Sequence, residues 1–142
     1  MKIYNGEGIL LGRVASRVAK DALLGEEVKV VNCEKIIISG NKVAVLAHET
    51  RRRERGGYPF KKTVHSRLPE RLVRKSIRGM LPWKFDRGKQ AFRRIMCYRG
   101  VPQELATLPM ITLKDSTVGK LPTLKHQTVA QLCHSLGGKV TS

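Results

Sequence analysis

The side chains that could carry out chemistry are few, and their spacing argues against catalysis. Four histidines (His48, His65, His126, His134) form no His-Glu-x-x-His pair. Three cysteines (Cys33, Cys97, Cys133) form no Cys-x-x-Cys, so no structural zinc is expected. Neither a GxxxxGK[ST] loop nor a GxGxxG after a strand occurs, and acidic residues are too sparse for a two-metal nuclease. Cys133 precedes His134, a thiol beside a base. Neighbours on a helix point about 100° apart, so Cys133 reads as a small core residue. Glu34 in VNCEK is either an acid–base group or a turn residue, and without a partner the turn role is the better reading. SGNK at 39–42 fits a phosphate-binding turn or, better, a plain turn and helix cap.

Cationic side chains are abundant. Of 142 residues, 28 are Lys or Arg and 11 are Asp or Glu, a formal net charge of +17. Between Glu49 and Arg99, 17 basic residues face 4 acidic ones, a net +13, while the rest of the chain carries +4. A merely solvated surface would hold balancing acids. An unbalanced one repels itself and draws an anionic partner, with nucleic acid first. The insert is rich in arginine, whose planar fork suits phosphate and can stack on exposed bases. Candidate nucleic-acid contacts are Arg51, Arg52, Arg53, Arg55, Lys61, Lys62, Arg67, Arg71, Arg74, Lys75, Arg78, Lys84, Arg87, Lys89 and Arg93. Aromatic residues make up 5% of the chain, too few for a row of stacking platforms, and no DNA recognition helix stands out. The residues thus point to structured nucleic acid bound mainly through its backbone. Two rivals come from other classes. An RNA-processing enzyme would need Glu34, His48 or Cys133 in a pocket with shifted pKa values. A peripheral membrane protein would need an apolar face beside the basic one.

The elements that must position these cations follow from periodicity. The length suits one domain, 1–142, with a core that needs neither disulfide nor metal. The odd cysteine number and the polar N-terminus suggest a soluble cytoplasmic protein with reduced thiols. KIYN reads as a short strand. In LLGRVASRVAKDALLGEE, Leu11, Val14, Ala15, Val18 and Ala22 recur at helical spacing, with Arg13, Arg17, Lys20 and Asp21 opposite and Gly25 as C-terminal cap. VKVVN and KIIIS read as strands. Ser39 or Asn41 caps a second helix with Val43, Leu46, Ala47 and Thr50 on one face. This order suggests an α/β layer with a parallel crossover. The stretch ETRRRERGGYPFKKTVHSRLP reads as a long basic loop or a partly disordered extension.

Pro69 starts a third helix, with Leu72, Val73, Ser76, Ile77 and Met80 inward and Arg71, Arg74, Lys75 and Arg78 outward. Gly79 permits close approach, Pro82 sets the exit, and Trp83 is either a core plug or a base-stacking residue. Gly88–Met96 reads as a fourth helix, with Ala91, Phe92, Ile95 and Met96 inward. MITL and TLKHQ are candidate strands. Thr128 and Gln131 form a capping box that opens the last helix, ended by Gly137 and Gly138.

Two blocks resemble the L-thirteen family of large-ribosomal-subunit proteins. The first is Gly12, Arg13, Val14, Ala15, Ser16, then Val30, Val31, Asn32, Cys33, Glu34, Lys35 and a Ser-Gly turn. The second is Arg78–Pro82, Gly88, Tyr98 and Gly100 within IRGMLPWKFDRGKQAFRRIMCYRGVP. Cys33 stands where alanine is usual. The segment after Pro102 lacks the His-Pro tail of bacterial members, which points to the archaeal and eukaryotic branch and, by length, its archaeal side. The resemblance implies a three-layer α/β/α domain with a small, mostly parallel or mixed sheet, to which the charge count adds a basic RNA-binding insert at about 49–99. It also implies large-subunit ribosomal RNA and neighbouring ribosomal proteins as partners, a role in subunit assembly, and no catalysis, cofactor, membrane or small-molecule substrate.

Overall fold

The computed structural model describes residues 1–55 and 65–139. The Gly-Gly pair at 56–57, Pro59, Lys61 and Lys62 lie outside them. Three parallel strands form the central sheet in the order β1–β2–β4: β1 (Lys2–Asn5), β2 (Val28–Val31) and β4 (Ile95–Cys97). Tyr4 pairs with Val30, and Val30 with Cys97. The β1-to-β2 connection is helix α1 (Leu11–Leu23), the crossover that parallel pairing requires.

Strand alternation sorts the core. Tyr4, Val28, Val30 and Ile95 face a large cluster with Val14, Ala15 and Val18 of α1, Val73 and Ile77 of α3 (Pro69–Gly79), and Ala91 of α4 (Asp86–Arg93). Each fully buried Val or Ile contributes about 1.5–3 kcal/mol relative to exposure. Ile3 and Val31 face the other way, onto Leu105 of the short helix α5 (Gln103–Ala106), with Tyr98 and Met110 packed beside them. The outer layers are therefore unequal: three helices on one face and about one helical turn on the other. A second, antiparallel pair joins β3 (Ile37–Ser39) to β5 (His126–Thr128) and leads into α6 (Val129–Ser135). The capping box at its start is complete, with Thr128 Oγ1 accepting from Gln131 N and Gln131 Oε1 from Thr128 N. No described helix is long and apolar enough to cross a membrane.

Several expectations change. Asp21 belongs to the buried face of α1, not the outer one, because Tyr4 Oη and Lys2 Nζ reach its carboxylate. Helix α2 (Lys42–Glu54) starts at the Asn41 cap, whose side chain accepts from Val43 N at 3.1 Å, and continues through Arg51, Arg52 and Arg53. Those arginines are therefore helical, where a loop was expected. No residue of α2 is fully buried, Leu46 and Thr50 being half-buried, and Val43 is 74% exposed. Lys35 lies in a 3-10 turn (Cys33–Lys35), not in β3. Helix α4 ends at Arg93 because Ile95 and Met96 join the sheet, and Met80 and Met96 are exposed. Of MITL, Ile111 alone makes a bridge, to Tyr4.

The two signature blocks meet in space. Asn32 adopts a left-handed φ of 55°, alone in this among the described non-glycine residues, and donates from Nδ2 to Asn5 Oδ1. Cys33 N donates to Tyr98 O at 3.2 Å. The Glu34 carboxylate accepts from Gly100 N at 3.1 and 3.2 Å, and Gly100 itself has φ 58°. Glu34 thus closes a turn between β2 and the chain leaving β4.

Candidate nucleic-acid interface

Helix α3 begins with Pro69 in its first turn, where the missing N–H costs nothing, and Glu70 follows. Its inward Val73 and Ile77 are fully buried. That anchoring turns Arg71, Arg74, Lys75 and Arg78 to the opposite surface, as the spacing predicts. Two of these guanidinium groups lie on aromatic rings. Arg74 Cζ sits 4.5 Å from the centroid of Phe92, and Arg78 Cζ 4.0 Å from that of Trp83. Trp83 meets Phe92 edge-on at 5.2 Å and 87°. Trp83, 36% exposed, is therefore not a core plug, and one face of its ring carries Arg78. It braces Arg78, which keeps the cation extended at a contribution of about 0.5–1 kcal/mol for an exposed pair.

The loop after α3 is held by small-residue geometry. Phe85 N donates to Pro82 O, and a Cβ on Gly88 would fall 2.2 Å from that same carbonyl oxygen. Only glycine lets α4 start against the Pro82 turn. A Cβ on Gly79, by contrast, would meet nothing within 4 Å, so protein packing there does not call for glycine.

A cleft of about 430 Å³ opens between α2 and α3. Arg53, Arg71, Arg74, Lys75 and Arg78 line it, with Glu49 the one carboxylate among the lining residues and His65, Ser66, Leu72 and Phe92 completing the wall. Arg53 spans the α2 side, donating from Nη1 to His65 O at 2.7 Å and from Nη2 to Ser66 O at 3.2 Å. Arg52 pairs with Glu49 at 2.8 Å. Lys75 Nζ contacts His65 Nδ1. Burial, then the neighbouring Arg52 charge, holds the Lys75 ammonium below its ordinary pKa. Burial and the Lys75, Arg52 and Arg53 charges do the same to His65. Glu49 opposes both shifts. The cleft thus concentrates positive potential with little internal compensation.

The other candidates do not converge on it. Arg51 and Arg55 are exposed on and just beyond the end of α2. Arg67 donates to Gly137 O at 3.4 Å near the end of α6. Lys84, Arg87, Lys89 and Arg93 are exposed along the Trp83 loop and α4, with Lys89 paired to Asp86 at 3.3 Å. Two further arginines of the insert do structural work: Arg94 donates to Ala22 O, and Arg99 pairs with Glu70. Residue types alone did not single out His65, Phe92 or Glu49, which join the site by tertiary proximity. A second basic groove is lined by Arg13, Arg17 and Lys20 of α1, on the outer face that the helical spacing predicts, with Asp115 beside them.

The groups that a catalytic reading would use lie apart. Glu34 is engaged by Gly100. His48 is exposed on α2. Cys133 is buried in α6, and burial pushes its thiol up to about 11, away from the reactive thiolate. No cluster of metal-ligating side chains occurs among the described residues.

A family model described as Ribosomal protein L13 matches residues 1–104. The chain is also similar to curated proteins named large ribosomal subunit protein uL13. That of Methanosarcina barkeri is 39% identical over 140 residues, covering 98% of this chain and 99% of the relative. That of Methanococcus maripaludis is 40% identical at the same coverage. That of Archaeoglobus fulgidus is 38% identical, covering 95% of this chain and 86% of the relative.

Proposed function

The chain belongs to the Ribosomal protein L13 family, of archaeal type, and from that premise we propose that it is a structural constituent of the large ribosomal subunit that binds large-subunit ribosomal RNA through the α2–α3–α4 basic face. Such a protein is a structural component of the cytoplasmic ribosome and not an enzyme. Its partners are the RNA and neighbouring large-subunit proteins.

The observation that carries the RNA reading is the α3 stripe. Buried Val73 and Ile77 fix the helix, aromatic rings brace Arg74 and Arg78, and Arg53 faces them across the cleft. Braced guanidinium groups lose less side-chain freedom on meeting a phosphate than free ones do. The contacts are to backbone phosphates, so they position the protein on folded RNA without reading base sequence.

Binding to purified large-subunit ribosomal RNA, measured across a salt series, tests this. Replacing Arg74 and Arg78 together with alanine weakens binding and flattens the plot of log affinity against log salt by about one unit per lost contact. A variant with the wild-type slope removes the stripe from the interface.

A further inference from the structure

We infer that the α2–α3 cleft is a phosphate site that loads with uptake of a proton: one RNA phosphodiester seats among Arg53, Arg71, Arg74, Lys75 and Arg78, draws the Lys75 ammonium off His65 Nδ1, and leaves that nitrogen to be protonated from solvent. The inference rests on the RNA-binding reading above and deepens it.

The geometry supplies the parts. Among the described residues, five cations and one carboxylate line a cleft large enough for a phosphate group. Arg53 Nε and Arg74 Nε are buried without a hydrogen-bond partner among the described residues, so each carries an unused donor. Lys75 Nζ contacts His65 Nδ1. An ammonium has only donors, so His65 must accept through Nδ1, which requires its neutral form. Among the described residues, the charged groups around His65 are Lys75 on α3 and Arg52, Arg53 and Glu49 on α2. Three are cationic, and together with burial they hold the imidazole below its ordinary pKa.

A phosphodiester reverses both conditions. Its charge offsets the cations and gives Lys75 a stronger acceptor than an imidazole nitrogen. His65 then gains a proton and becomes a further donor to the phosphate. One proton comes from solvent, and no covalent bond forms or breaks. The sign follows from linkage: the bound state holds His65 at a higher pKa than the free state, so affinity falls as pH rises between the two values, by at most about tenfold per pH unit for one proton.

The test uses the full chain and purified large-subunit ribosomal RNA at constant salt, with affinity measured from about pH 5.5 to about pH 8. Wild-type affinity is expected to fall with pH, whereas His65→Gln, an uncharged side chain that still accepts from Lys75, binds with a flatter profile. Equal pH slopes in two proteins that both bind RNA overturn the proton-coupled site and leave the RNA reading standing. No binding by either overturns both. A second measurement needs no variant. The His65 imidazole resonance of the wild-type protein, titrated with and without RNA, is expected to show its midpoint shifted upward on binding, with His48, His126 and His134 as internal comparisons. An unmoved midpoint overturns the inference.

Discussion

Burial raises the pKa of the Asp21 carboxyl, yet hydrogen bonds from Tyr4 and Lys2, with the Lys2 and Arg17 charges, hold it below the ordinary carboxylate range. Tyr4 responds in the opposite sense: burial and then the Asp21 carboxylate raise its phenol, so it stays protonated and donates. This pair ties β1 to α1 beneath the sheet. A depressed folded-state pKa stabilises the fold above the unfolded carboxylate value, and the contribution disappears as pH falls through the folded one. Asp21→Asn is therefore expected to cost about 1–3 kcal/mol near neutral pH, and less in acid, where the wild-type carboxyl is itself protonated. Urea unfolding at both pH values checks this, and an equal loss at both would contradict the ionic account. Helical spacing alone put Asp21 with Arg17 and Lys20 on the outer face. It carries no information about a tyrosine arriving from a strand 17 residues away.

At the scale of elements, α2 stands apart. It has 13 residues, a sound Asn41 cap and no buried side chain. Helices shorter than about 12–15 residues are marginal in water without tertiary packing. Its backbone amides are expected to exchange with solvent faster than those of α1 and α3, and to slow when RNA occupies the cleft that α2 and α3 share. Hydrogen exchange with and without large-subunit ribosomal RNA measures this, and α2 amides unaffected by RNA would detach the helix from the interface. The contrast with α3 shows what periodicity can tell. Both helices display apolar residues three and four apart, but only α3 meets α1 and β4 across its stripe. Capping residues act locally, so Asn41, Pro69 and the Thr128–Gln131 box could be read from the chain. Whether an apolar stripe is covered depends on residues far away in sequence.

For the whole molecule, a net charge of +17 makes the compact state repel itself, and a polyanion relieves that repulsion. Purified large-subunit ribosomal RNA at hundredfold excess over its Kd is expected to stabilise the fold by about 2.7 kcal/mol, seen as a rise of several degrees in the thermal midpoint that raised salt removes. A midpoint indifferent to RNA would count against preferential binding to the folded protein. The class of fold, the parallel crossover through α1, the excess of cations between Glu49 and Arg99 and the outward stripe of α3 were determined by the sequence itself, because hydrophobic spacing and charge imbalance are local properties of the chain. Tertiary structure alone decided that Arg53 faces Arg74 across a cleft, that Lys75 meets His65, and that Trp83 braces Arg78. It also brought Glu34 to Gly100, 66 positions along the chain. These pairings depend on how helices and strands dock, and docking is set by the shape of a shared core that no single stretch of sequence contains.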